Sequence, residues 1–306
     1  MGNKDILDSS QRAIRFPDFF IIGAPKAGTT ALSEYLKRHP EIGFSEPKEP
    51  HYFNDDFSSR YASSIVEYMK CFSDVCRSRR VVGEGSVFYL KSKTAVPNIL
   101  KHAPDAKFIV MLRSPVDAVY SWHRQALYSF GEDIGDFEQA WLAQAAREQG
   151  DRIPRHNVVR EALQYGPLFK YGEQLKRLFD HVRRERVLVL LFQDLKSNAD
   201  HVFRRTLSFL ELPNVALGAY EVWNASKIPR SMLLEGAMQR LGSAKRAIGI
   251  EKGYGLLTKL KQWNTRYQNA VPMSSSLRRT LTEYYFEDVQ QVGKLIGRDL
   301  GDWLHE

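Results

Sequence analysis

Two short segments carry residue types that can hold phosphate-like anions: GAPKAGTT (Gly23 to Thr30) and RSPVDAVYS (Arg113 to Ser121). In the first, an apolar run from Phe19 to Ile22 leads into a loop bounded by Gly23 and Gly28. A helical pattern follows, with Leu32, Tyr35 and Leu36 at i, i+3 and i+4 and a stop at His39 and Pro40. Strand, glycine loop and helix together present backbone N–H groups to an anion at a helix N-terminus. Gly23 and Gly28 keep the spacing of an ATP-binding Walker loop, but the lysine stands inside the loop as Lys26, and Thr29 and Thr30 follow the second glycine. In the second segment Arg113 closes an apolar strand. Ser114 suits an N-cap, Pro115 the first helical position and Asp117 a capping box. Ser121 lies about two turns beyond Ser114, on the same helical face. A strand-end arginine and a serine on the next helix can clamp a monophosphate. The same two residues equally suit an arginine paired with a neighbouring carboxylate and a serine at a helix contact.

A nucleoside triphosphatase with a P-loop also needs an aspartate that organises Mg²⁺. Here the apolar strand Phe108 to Leu112 runs into Arg113, and Asp194, after VLVLLFQ, comes late and in a turn-like context. Phosphate chemistry without a metal is the expectation. The histidines are too scattered for a zinc constellation, and two cysteines, Cys71 and Cys76, make no disulfide framework.

The elements that must position these segments are strands alternating with helical patterns. After the first strand come VVGEGSVFYL (Val81 to Leu90), AKFIVMLRSP (Ala106 to Pro115) and ERVLVLLFQDL (Glu185 to Leu195). Two of their cores, Phe108 to Leu112 and Val187 to Phe192, are continuously apolar. Such runs suit parallel strands buried on both faces, and the intervening lengths hold crossover helices. The predicted fold is a P-loop-containing, doubly wound α/β sheet, mostly parallel, with helices on both faces. Its ligand would lie at the carboxyl ends of the strands, where both anion-binding segments fall. With 306 residues, 43% hydrophobic and 26% charged, and no repeat or Pro/Ser linker, the expectation is a single domain over 1–306. Residues 1–16 read as an extension, and 235–272 as a basic, lid-like insertion rich in lysine and arginine between Arg240 and Arg266.

A net charge of +8 points to polyanionic partners, but no RNP, zinc-finger or basic-zipper pattern supports nucleic acid. No stretch approaches the roughly 18 apolar residues of a membrane span. The first residues have no apolar core of a secretory signal, and Ile6 stands where a myristoylation signal wants Ser or Thr. The expectation is a cytoplasmic protein, with peripheral membrane contact and a homodimer left open.

Taken together, GAPKAGTT and RSPVDAVYSWH closely resemble the 5′-phosphosulfate loop and 3′-phosphate motif of the sulfotransferases that use 3′-phosphoadenosine 5′-phosphosulfate (PAPS). The resemblance continues through EPKEPHYF, GEGSVFYL, FQDLKSNADHVFRRTLSFLEL, NASKIPRS and LIGRDLGDWL. It looks most like the bacterial branch, related to the carbohydrate and heparan-type enzymes. The resemblance implies direct in-line sulfuryl transfer to an acceptor hydroxyl, releasing 3′,5′-ADP (PAP), with no metal required. It implies that Lys26 contacts the transferring group and the leaving phosphate, and that Ala27, Gly28, Thr29 and Thr30 hold the 5′-phosphate. Arg113 and Ser121 would hold the 3′-phosphate, with Arg230 as a later contact. In KEPHYF, the resemblance gives Glu49 the role of base, with His51 the alternative, and Ser86 and Tyr89 become candidates for the acceptor cleft, ordinary core packing being an equal alternative for Tyr89. A lysine frequent in heparan-type members falls here on Gly85, which argues against a highly sulfated glycan acceptor. A saccharide, glycolipid or other small metabolite is expected. The rival readings are a kinase or nucleoside triphosphatase using Mg·ATP, and a non-catalytic basic module for anionic membrane or nucleic acid.

Overall fold

The computed structural model describes residues 15–216 and 273–305, apart from 59, 130, 156 and 158, and the backbone of 227–229 and 265–267. Five strands make one wholly parallel sheet: β1 (Phe19–Gly23), β2 (Ile42–Phe44), β3 (Val81–Gly85), β4 (Lys107–Leu112) and β5 (Val187–Leu191). Their order is β2-β3-β1-β4-β5. Every residue of β1 is buried, as are Phe108 to Leu112 of β4. Successive strand residues point to opposite faces, so burial of all of them requires cover on both sides. The helix Thr29–Lys37 packs with Ala199–Phe209, and the helix Tyr171–His181 packs with Ala95–His102 and Ser275–Ile296. Lys227–Pro229 and Thr265–Tyr267 form a separate antiparallel pair.

This order sets the ligand site. From β1 the chain runs to β2 and returns to β3; from there it crosses to β4 on the other side of β1 and continues to β5. The loops leaving β1 and β4 therefore diverge from adjacent strand ends, opening the crevice in which doubly wound sheets bind ligands. Ala24 N–H donates to Met111 C=O at 2.6 Å and fixes the start of the first loop against β4.

Four local expectations are corrected. Strand β2 was not anticipated, being only three residues between a helix and a long loop. The strand beginning at Val81 stops at Gly85. The next residues fold over the end of β1, where Ser86 N–H donates to Ile21 C=O and Leu90 N–H to Ile22 C=O. Phe192 opens the helix Phe192–Ser197 instead of ending β5. The helix Pro115–Tyr128 starts as expected at Ser114 and Pro115 but has no side-chain cap. Ser114 Oγ donates to Trp303 C=O at 3.4 Å, and Asp117 turns to arginines, its Oδ1 accepting from Arg278 Nη2 at 3.0 Å.

Candidate active site

The loop after β1 is built for close approach. Gly28, the N-cap of the helix Thr29–Lys37, has φ 90°, and no side chain caps that helix. A Cβ on Gly28 would lie 2.9 Å from Leu195 Cδ2 and 3.0 Å from Phe192 Cδ2, so only glycine fits both the conformation and the space. The first-turn N–H groups are left without a side-chain acceptor, as an anion-binding N-terminus requires. Ala27 is fully buried, Thr29 is nearly so, and Thr30 is exposed. Lys26 is half-buried in a left-handed conformation, φ 60°. Burial, then the charges of Arg113 and Arg124, lower its pKa, while Glu49 acts in the opposite sense.

Arg113 reaches the same place from the end of β4. Its Nη1 donates to Lys26 C=O at 3.5 Å, and its guanidinium lies 4.9 Å from the centre of the Phe192 ring. Burial lowers the Arg113 pKa, with Asp117 opposing at an Nη2–Oδ2 distance of 4.0 Å. Ser121 is half-buried on the helix that follows. One turn beyond it, Gln125 presents Oε1 3.5 Å from Lys26 Nζ. Sequence reading passed over Gln125, although its i+4 relation to Ser121 places both on one face. Asp194, considered above as a metal partner, is tied to Arg298 in a two-toothed ion pair.

The loop between β2 and the helix Ile65–Lys70 supplies the opposite wall. Glu49 and His51 both have left-handed backbones, φ 69° and 49°. Glu49 Oε1 accepts from Lys48 Nζ at 2.6 Å, and Oε2 lies 3.4 Å from His51 Nε2. Burial tends to raise the Glu49 pKa, but the charge of Lys48 and the hydrogen bond and charge of His51 prevail and hold it at about 2. His51 stacks on Phe88, and its Nδ1 is buried with no hydrogen-bond partner. Lys48 too escaped sequence reading. It lies along the strand end vacated by Gly85, where a Cβ would be 3.4 Å from Lys48 Cε.

Ser86 and Tyr89 were expected to line the acceptor cleft. Both are fully buried behind the loop. Ser86 Oγ accepts from His51 N–H at 3.0 Å, and Tyr89 OH accepts from Tyr52 and Phe53 N–H at 2.9 and 3.3 Å. Burial thus gives them a supporting place in this structure. The signal that could have found their common partner, Glu84, was a carboxylate inside a strand of a sheet covered on both faces. Arg230 lies outside the described residues, as does the basic segment 235–272 apart from the backbone of 265–267.

The loop after β1 therefore offers Lys26 beside an open helix N-terminus, with Arg113 reaching it from β4 and the Glu49 carboxylate near enough to act on Lys26. Comparison with known proteins gives the same direction. The family model described as "Sulfotransferase domain" matches residues 16–223. A membrane-associated sulfotransferase, kil1, of Dictyostelium discoideum is 37% identical over 163 residues, which are 53% of this chain and 33% of that protein. Carbohydrate sulfotransferase 15 of Rattus norvegicus is 28% identical over 250 residues, covering 64% of this chain and 44% of the relative. The chain thus spans less than half the length of these relatives. Among solved structures, a sulfotransferase from Alicyclobacillus acidocaldarius superposes with a TM-score of 0.69 at 26% identity, covering 95% of this chain and all of the other.

Proposed function

Since the chain belongs to the sulfotransferase domain family, we propose that it moves a sulfuryl group from PAPS to a hydroxyl of a saccharide-type acceptor. The observation that carries this reading is the convergence of Lys26 and Arg113 on the uncapped N-terminus of the helix Thr29–Lys37, Arg113 bonding to the Lys26 carbonyl and its charge lowering the Lys26 pKa. Such an arrangement fits a bound polyanion, which relieves the repulsion between the cations and keeps Lys26 protonated. PAPS, when bound there, supplies an activated sulfuryl group and a phosphate leaving group.

In this reading Lys26 offsets the negative charge that grows on the leaving phosphate, a task for a fixed cation in a partly desolvated site. The N–H groups from Ala27 to Thr30 hold the 5′-phosphate, and Arg113 with Ser121 distinguishes a donor carrying a 3′-phosphate. Glu49 accepts the acceptor's proton. At rest, Lys48 and His51 keep it ionised but weakly basic. An acceptor hydroxyl that displaces Lys48 from Oε1 restores its basicity where the proton is released. His51 is the alternative base. The carbohydrate specificity named for one relative supports a saccharide acceptor. The Mg·ATP reading is disfavoured by Arg113 at the end of β4 and by the engagement of Asp194 with Arg298.

Thermal unfolding with 3′,5′-ADP, 5′-ADP or Mg·ATP tests the donor. At ~100 times its dissociation constant a ligand adds about 2.7 kcal/mol of stability. The expected result is a large shift with 3′,5′-ADP alone, abolished in Arg113→Ala. A shift with Mg·ATP instead would replace this reading with the kinase one.

A further inference from the structure

Glu84 is a carboxylate with no exposed surface in the middle layer of the molecule, and three hydroxyls hydrogen-bond to it. Ser86 Oγ lies 2.5 Å from Oε1; Tyr68 OH and Tyr89 OH lie 3.0 and 3.3 Å from Oε2. The direction of these bonds is fixed by what lies behind them. Tyr89 OH already accepts from the N–H groups of Tyr52 and Phe53, so its one proton goes to Glu84. Ser86 Oγ already accepts from His51 N–H, so its proton goes the same way. Three successive loop N–H groups thus run through two hydroxyls into one carboxyl group. An ionised carboxylate, an acceptor only, takes these two protons and that of Tyr68; a protonated one keeps the same two bonds by turning its own proton to Tyr68 OH.

We propose that Glu84 is a positioning residue for the acceptor-side loop, its ionised carboxylate orienting Ser86 and Tyr89 so that they hold the backbone of His51 to Phe53. That backbone directly follows Glu49 and Pro50, and its anchorage keeps the left-handed turns at Glu49 and His51 in place. The groups facing Glu84 are Tyr68 from the helix Ile65–Lys70, Cys71 just after it, Ser86 and Tyr89 beyond β3, and Lys48 from the loop as the cation. Burial holds the Glu84 pKa up to about 7, against the pull of the three hydroxyls and Lys48. The consequence for turnover rests on the sulfuryl-transfer reading; the wiring itself does not.

Amide hydrogen exchange on the full chain tests it. After correction for intrinsic exchange, the His51, Tyr52 and Phe53 amides should be protected in the wild-type protein. Glu84→Gln should lower that protection about tenfold, the loss expected when one hydrogen bond is weakened. Protection of Phe19 to Ile22 should not change. A Glu84→Gln loop protected like wild type overturns the proposal. Should Glu84→Gln fail to fold, Ser86→Ala and Tyr89→Phe take its place. Ser86→Ala should expose the His51 amide alone, and Tyr89→Phe those of Tyr52 and Phe53. No change in either would also overturn it. In turnover, Glu84→Gln should lower kcat and leave KM for PAPS unchanged. A wild-type protein that binds 3′,5′-ADP poorly and transfers nothing would sink the functional reading, while exchange would still decide the wiring.

Discussion

Glu49 carries its charge between Lys48 and His51 on a backbone that non-glycine residues adopt at a cost of about 1–2 kcal/mol. Its pKa is depressed from 4.5 to about 2. A folded-state value below the unfolded one contributes stability at and above the ordinary carboxylate range, and that stability is lost as pH falls through 2. Glu84 has the opposite sign. Raised to about 7, it contributes stability at low pH that is lost as pH rises from the carboxylate range through 7. Two carboxylates of one site thus have separated proton affinities, set by an ion pair in one case and by burial in the other. Glu49→Gln should lower kcat by ~10²–10⁴, the usual effect of removing a general base, with KM for PAPS unchanged. His51→Asn should cost less. Equal and small losses in the two variants, measured under saturating donor, would sink the assignment of Glu49.

Elements bring these residues together through a few tight contacts. Phe192, at the start of the helix after β5, lies against Gly28 on one side and under Arg113 on the other. One ring therefore sets the spacing of the two anion-binding segments. The C-terminal elements lock this arrangement. Trp303 Nε1 donates to Gln193 Oε1 at 2.5 Å, its carbonyl accepts from Ser114, and Arg298 pairs with Asp194. Gly28→Ala puts a Cβ into Leu195 and Phe192 while forcing an unfavourable positive φ. Calorimetric titration should then show at least about a tenfold loss of 3′,5′-ADP affinity, equivalent to ~1.4 kcal/mol. Native affinity in that variant would mean that the donor sits elsewhere.

On the scale of the whole molecule, stability and ligand recognition draw on different groups. Arg147 and Glu132 form a fully buried bidentate pair at 2.7 Å, and Tyr165 OH adds a 2.6 Å bond to the same carboxylate. The hydrogen bonds of the pair are made within that cluster and to Arg152, Asp133 and Ile134, none of them a residue of the two anion-binding segments. Arg147→Met leaves the Glu132 charge buried without its partner, which destabilises by ~3–5 kcal/mol. Denaturant unfolding should record that loss, and the dissociation constant of 3′,5′-ADP should stay at its native value. A parallel loss of affinity would show that the cluster also shapes the donor site.

The glycine loop and the strand-end arginine were legible in the sequence because their requirements are local. Gly28 needs its positive φ, Lys26 its place between two glycines, and Arg113 its position at the end of an apolar run; none depends on a distant partner. Four of the five strands were anticipated, three of them from continuous apolar runs, since burial on both faces removes polar residues from such strands. What lay beyond local pattern was decided by packing across the chain. Strand β2 exists because Ile42 to Phe44 finds Val81 to Gly83 beside it. Lys48 meets Glu49 along a strand end that Gly85 leaves bare. Ser86 and Tyr89, read as cleft residues from a linear motif, face inward because the segment after β3 folds over the end of β1 and turns their hydroxyls towards Glu84. The sequence by itself determined which chemical groups the protein has and which backbone turns they require. Only the tertiary structure decided which of those groups stay accessible and which are buried behind them as supports, because that division depends on burial, and burial is a property of the folded chain.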